Sequence, residues 1–324
     1  MILLQDLVPF LSSFAPVFSQ PTWLRFQLLL ASALLTTGRH TIANLLRTLG
    51  HLATGHRTSY QRVFSAAVWS GVQLACTLTQ LILTLLPDGP VRLVGDDTVD
   101  GHKGKKVWGK ARHRDPVRSS HSYTAWRYGH KWVVLAILVR FPWANRDWAL
   151  PVLVALYLSP EQNRQQRRPH RTPAQLLGRL VRLLLWRFPQ RQFVLIGDSG
   201  YGTHEVARFA QRHHRRLSLV SKFHPAANLY TPPPPYSGKG RPRVKGDRLP
   251  KPKESVAAAS KRQPARESAS PCTMPMRHSP TMKRASIGRA ASCFSSAGCR
   301  AAVALSWAWM RLERSTTAPT TCSG

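Results

Sequence analysis

The chain predicts an α/β protein: a mixed sheet flanked by helices, with a helical region before it and a low-order basic tail after it. Three observations carry this. Two short apolar runs, 91–94 and 193–196, each end in a glycine followed by aspartate, as Gly95-Asp96-Asp97 and Gly197-Asp198. Each reads as a buried strand with a carboxylate at its carboxyl end. Between them, further apolar runs give way to a leucine-rich helical stretch. The break Pro87-Asp88-Gly89-Pro90 separates all of this from what precedes it.

Residues 1–88 read as helical, with apolar residues at helical spacing in Thr41-Ile42-Ala43-Asn44-Leu45-Leu46-Arg47 and a stop at Gly50. Their basic edges suit a helix-turn-helix that grips DNA, and packing alone accounts for the pattern equally well. The apolar run 72–86 is shorter than the roughly 20 residues that span a bilayer, so it predicts a core helix and no membrane partner.

Residues 89–224 form the mixed segment. The first aspartate strand leads into a basic loop at 102–114, then a hairpin whose strands, 123–128 and 132–139, are separated by Gly129-His130-Lys131. A strand at 149–158 and an arginine-rich connection at 159–171 follow. Thr172-Pro173 opens a helix over 174–186 with Leu176, Leu177, Leu180, Leu183 and Leu184 on one face. The second aspartate strand, a helix over 203–214 and a strand at 217–220 complete the segment. With the hairpin counted as one element, this β-β-β-α-β-α-β order is that of a ribonuclease-H-like domain, in which the first and fourth strands are parallel neighbours.

Residues 225–253 read as a Pro/Gly-rich basic linker, containing four prolines at 232–235. From 254 to 324 the chain is rich in Ala, Ser, Arg, Thr and Pro without sustained periodicity. Two readings of this stretch stay open: a disordered basic tail that adds DNA affinity, or a reading frame lost upstream. Four of the five cysteines lie there at spacings that match no zinc site, and only Cys76 precedes them. With an N-terminus lacking a basic signal region, that usage points to a reducing, cytoplasmic setting.

A formal charge of +33, from 47 basic and 14 acidic residues, is expected to meet a polyanion, most often nucleic acid. The acids are informative because they are few. Eleven precede residue 254, and three of these, Asp96, Asp97 and Asp100, fall within five positions, with Asp198 ending the matching strand. Carboxylates brought together repel, and such a pair normally exists to hold a cation.

Several stretches taken in order resemble the DDE-type transposases of insertion sequences, the DDE superfamily endonucleases. They are Gly95-Asp96-Asp97-Thr98, Lys103-Gly104-Lys105-Lys106, Gly129-His130-Lys131-Trp132, Phe141-Pro142-Trp143 and Gly197-Asp198-Ser199-Gly200-Tyr201-Gly202. The resemblance spans roughly residues 20 to 258. It implies a DNA-cleaving and strand-transferring enzyme of an insertion sequence, in which two Mg²⁺ ions are held by two aspartates and a glutamate. Members act as multimers on paired DNA ends. Asp96 matches the first position, with Asp97 the alternative because strand register decides which side chain faces the metals. Asp198 matches the second. Lys103, Lys105, Lys106, Lys110, Arg112 and Arg114 would lie along DNA backbone.

The third carboxylate has no match. Glu205 lies close after Asp198 and is a weak candidate; Glu254, Glu267 and Glu313 sit in aperiodic surroundings. The expectation is therefore a transposase whose chemistry is impaired. A non-catalytic basic DNA-binding protein is the alternative, and a ribonuclease-H-like repair nuclease a third.

Overall fold

A computed structural model describes residues 9–262, except positions 105, 116, 117, 121, 223, 237 and 239. The helical lead-in comprises α1 (Gln20–Leu35), α2 (Ile42–Leu49), α3 (Arg57–Ser65) and α4 (Gly71–Thr84). Side chains cap three of them: the Thr41 hydroxyl accepts the Asn44 N–H, the His56 ring that of Thr58, and the Ser70 hydroxyl that of Gln73. Leu29, Leu45, Tyr60 and Val63 close into a small core of their own. The apolar stripe read in α2 is thus spent on packing between helices.

The sheet contains β1 (Val91–Gly101), β2 (Ala111–Arg114), β3 (Trp126–Val139), β4 (Trp148–Tyr157), β5 (Phe193–Gly197) and β6 (Leu217–Ser221). Its order is β2-β3-β1-β5-β6, with β4 also on β3; β1, β5 and β6 are parallel, and β3 is antiparallel to its neighbours. This is the ribonuclease-H-like arrangement expected from the element order. A short helix α5 (Pro160–Gln165) follows β4, α6 (Pro173–Arg187) leads to β5, and α7 (His204–Arg212) joins β5 to β6.

A capping box starts α6: Thr172 takes the Gln175 N–H and Gln175 returns a bond to the Thr172 N–H. Leu177, Leu180, Val181 and Leu184 of α6 are almost fully buried against Leu93, Val133, Leu135 and Leu195. Each such leucine contributes about 1.5–3 kcal/mol by leaving water. Gly95 makes the close approach possible, since a Cβ there would sit 2.5 Å from the Leu177 Cδ2.

Two expectations are corrected here. The Gly129-His130-Lys131 stretch is not a hairpin; β3 runs through it unbroken for 14 residues. Gly129 is required by proximity, because a Cβ at that position would lie 1.9 Å from the Asp100 carbonyl oxygen across the ladder. The basic loop is in part a strand, since Ala111–Arg114 pairs with the start of β3.

Beyond β6, the proline-rich stretch is closed at its base. Tyr230 and Arg248 form an antiparallel bridge, and the Thr231 N–H donates to the Asp247 carbonyl at 2.9 Å. Helix α8 (Pro252–Arg262) occupies the start of the segment read as aperiodic. Its alanines favour helix, but Val256 is exposed, so no apolar stripe marks it in the sequence. The tail from 263 onward, with Glu267, Glu313 and four cysteines, lies outside the described residues.

Candidate active site at the ends of two parallel strands

Strands β1 and β5 pair in parallel from Val91↔Phe193 to Gly95↔Gly197, so the next step sets Asp96 abreast of Asp198. Contrary to the sequence reading, β1 does not stop at its aspartates. Antiparallel pairing with β3 carries it on to Gly101↔Gly129, and both Asp96 and Asp97 lie within the strand.

Alternation then separates the two carboxylates. Residues directly opposite each other share a face, so Asp96 goes with Val134, and Thr98 with Trp132, on one side. Asp97 goes with Val133 and Leu93 on the side covered by α6. There the Lys131 ammonium pairs with Asp97 at 2.5 Å, and the Tyr201 hydroxyl donates to Asp97 at 3.5 Å. Tyr201 is only 2% exposed, and burial together with the three neighbouring aspartates pushes its phenol well above the usual range.

Asp96 has a different environment. Its Oδ1 accepts the Asp97 N–H at 2.8 Å, and among the described residues no cation forms an ion pair with it. Burial foremost, then the negative charges of Asp97 and Asp198, pushes its pKa up to about 6; the Asp97 N–H and Lys131 pull the other way. A carboxylate held in this way is stabilised by any added positive charge.

Asp198 lies just past β5 in an exposed turn. Its Oδ1 accepts the Gly200 N–H at 2.9 Å, and its carbonyl accepts both the Ser221 hydroxyl at 2.9 Å and the Tyr201 N–H at 3.2 Å. The second aspartate is therefore fixed to β6 as well as to its own loop.

Glu205 sits in the first turn of α7 and faces the start of α6. It accepts the Thr172 hydroxyl at 3.0 Å and the Gln175 amide at 2.8 Å. Glu254 accepts the Lys251 N–H at 3.0 Å, at the beginning of α8. Among the described residues, no three His, Cys, Asp or Glu side chains gather around a common metal position.

The predicted DNA-binding residues divide. Arg112 and Arg114 point outward from β2 and are exposed. Lys103 and Lys106 lie in the preceding loop, and Lys105 falls outside the described residues. Lys110 donates to the Gly104 carbonyl at 2.9 Å. The Gln162 amide donates to the Lys110 carbonyl at 2.8 Å, which ties the arginine-rich connection to this ribbon. Sequence reasoning missed Lys131 and Tyr201 as partners of Asp97. Both lie in quoted motifs, but only the strand register reveals which aspartate they serve.

A mixed sheet of this order, with Asp96 on β1 and Asp198 just past the neighbouring parallel β5, is that of a ribonuclease-H-like domain. The family model described as DDE superfamily endonuclease matches residues 13–281, and the chain belongs to that family. A solved structure titled as the piggyBac transposase synaptic complex with hairpin DNA is also similar. The identity is 13% and the TM-score 0.34, over 64% of this chain and 42% of that one. No curated protein matches. Among the described residues, no helix is long and apolar enough to cross a membrane.

Proposed function

We propose that the chain is a DNA transposase of an insertion sequence, which cuts and joins DNA strands at Asp96 and Asp198. The observation that carries this is the parallel register that sets those two residues abreast, in a chain of the DDE endonuclease family. Asp97 is then a supporting residue, because its charge is already matched by Lys131.

The fit to a divalent cation rests on Asp96, a carboxylate with raised pKa and, among the described residues, no ion-pair partner, beside a second carboxylate. Hard cations take oxygen ligands of this kind, and Mg²⁺ is the ion the family reading implies. Bound there, it would supply Lewis-acid activation of the attacking oxygen and neutralise charge on the phosphodiester.

The protein's own contributions are positional. Asp96, already mostly ionised at neutral pH, would offer its free carboxylate oxygen to the ion. Tyr201 and Lys131 hold Asp97 on the opposite face of β1, so it does not compete for the ion. Exposed Arg112 and Arg114 would neutralise backbone phosphates, which fixes the strand without reading its sequence. The third carboxylate expected of the family is not among these groups, and Glu205 is engaged with α6. Cleavage by this chain should accordingly be weak or lost.

The test is nicking of a supercoiled plasmid that carries the gene with its flanking DNA, in Mg²⁺ or Mn²⁺. Slow nicking that vanishes in Asp96→Asn and Asp198→Asn supports the reading. Nicking that survives either change excludes it. If nothing is nicked, melting of the full chain with added Mn²⁺ decides. A rise in midpoint lost in Asp96→Asn marks a defective transposase, and no rise leaves a DNA-binding protein without metal chemistry.

A further inference from the structure

The ribbon made by β2 and the start of β3 carries two large aromatic side chains that neither the core nor the aspartates use. Arg112 lies opposite Tyr128, and Arg114 opposite Trp126, so these four share one face. On the other face His113 is buried, at 7% exposed, while Arg127 opposite it is exposed. On the outward face Trp126 is 50% exposed and Tyr128 56%. Two half-exposed aromatics side by side on a basic ribbon are costly unless something covers them.

Cations flank both rings. The Arg112 guanidinium lies 4.3 Å from the Trp126 ring centroid, and the Lys110 ammonium 5.7 Å from that of Tyr128. Neither paired segment, 111–114 or 126–129, contains an acid. Phosphate contacts alone need cations but not aromatic faces. Cations interleaved with exposed rings are what a strand of unpaired bases requires, because every base has a face to stack.

The ribbon also lies on the correct side of the sheet. Alternation along β3 places Tyr128, His130, Trp132 and Val134 on one face, and Val134 lies opposite Asp96; His130, Trp132 and Val134 are buried with the Trp108 loop against them, so a strand joining the two places passes over that loop. From Tyr128 to Val134 is six residues, about 20 Å along a strand. That corresponds to about six base steps of a DNA strand at 3.4 Å each.

We propose that Trp126 and Tyr128, flanked by Arg112 and Lys110, form a stacking platform for unpaired bases of the DNA strand whose backbone reaches Asp96 and Asp198. This deepens the transposase reading and rests on it for the identity of the strand. It assigns the two rings a ligand of their own: bases, beside the backbone phosphates that the arginines of the ribbon meet, several nucleotides from the site of cutting.

The test measures binding of the full chain in EDTA, which removes cleavage from the readout. Fluorescence anisotropy compares a blunt duplex with the same duplex bearing a six-nucleotide unpaired tail. The tailed DNA is expected to bind more tightly. Replacing the tail with abasic sugars, which keeps the phosphates, should remove the difference. Trp126→Ala and Tyr128→Ala should each weaken tailed binding by about tenfold and leave blunt binding unchanged, with Trp126→Phe retaining most of the preference. Arg112→Ala should instead lower the salt dependence on both DNAs by about one phosphate contact.

A tail preference that survives abasic substitution, or alanine variants that weaken both DNAs equally, would overturn the platform. So would no preference in the wild-type chain. Because the assay is metal-free, it fails separately from the transposase reading. Tail preference without nicking or an Mn²⁺ response sinks that reading alone, and nicking without tail preference sinks this one alone.

Discussion

Lys131 on β3 reaches diagonally across the ladder to pair with Asp97 on β1 at 2.5 Å, and among the described residues Asp96, one residue away, forms no ion pair. One strand thus presents a neutralised carboxylate on its helix-covered side and an unneutralised one on the other. Lys131→Met should leave Asp97 uncompensated and cost about 1–3 kcal/mol, since both side chains are mostly shielded from water. The urea midpoint at pH 7 checks this. The double variant with Asp97→Asn should recover part of the loss; strict additivity would mean that the pair does not interact in solution.

Asp96 makes the metal-free protein sensitive to pH in a definite direction. Its folded pKa of about 6 lies above the ordinary 3.8, so between these values the native state holds a proton that the unfolded chain releases. The contribution of this one group to stability is therefore greatest below about pH 4 and is lost as pH rises through about 6. Asp96→Asn should abolish that decline and raise the melting midpoint at pH 7, by a gain in stability on the order of 1–2 kcal/mol after allowing for partial solvent screening. A lower midpoint for Asp96→Asn in EDTA at pH 7 would contradict the assignment.

Gly129→Ala should be among the most damaging changes in the sheet. The new Cβ meets backbone, not a side chain that can rotate away, and β1 and β3 would have to separate beside Asp100. A loss of at least about 2 kcal/mol is expected, read from chemical unfolding. A neutral result would show that the two strands do not approach so closely.

Glu205→Gln separates a structural role from a catalytic one. If the carboxylate only joins α7 to α6 through Thr172 and Gln175, the amide should cost about 1 kcal/mol or less. Any Mn²⁺-induced rise in melting midpoint should then persist. Loss of that rise in Glu205→Gln would make Glu205 the third carboxylate.

Much of this was legible in the chain. The matching runs before Asp96 and Asp198 have the apolar content of buried strands, and their likeness foretold the parallel pairing. Thr172-Pro173 and the leucine spacing foretold α6. What stayed hidden depends on contacts distant in sequence. Gly129 looks like a turn because glycine is a local breaker, yet here it answers to Asp100 on another strand. Which of Asp96 and Asp97 pairs with Lys131 needed the register of β3. Trp126 and Tyr128 were read only as strand formers, because exposure cannot be inferred from aromatic content. Helix α8 escaped notice because none of its described side chains is buried, and such a helix has no stripe to detect.

The last strand in the order, β6, pairs only with β5 among the described residues. Its Val220 is 40% exposed, and Val194 and Ile196 beside it on the same face are only half-buried. A short parallel edge with open backbone donors and acceptors, next to an apolar strip, invites a second backbone to extend the sheet. Crowded solutions of this protein should then lose material through strand-to-strand growth from that border. A single charge introduced as Val220→Lys should keep it dispersed without touching either aspartate.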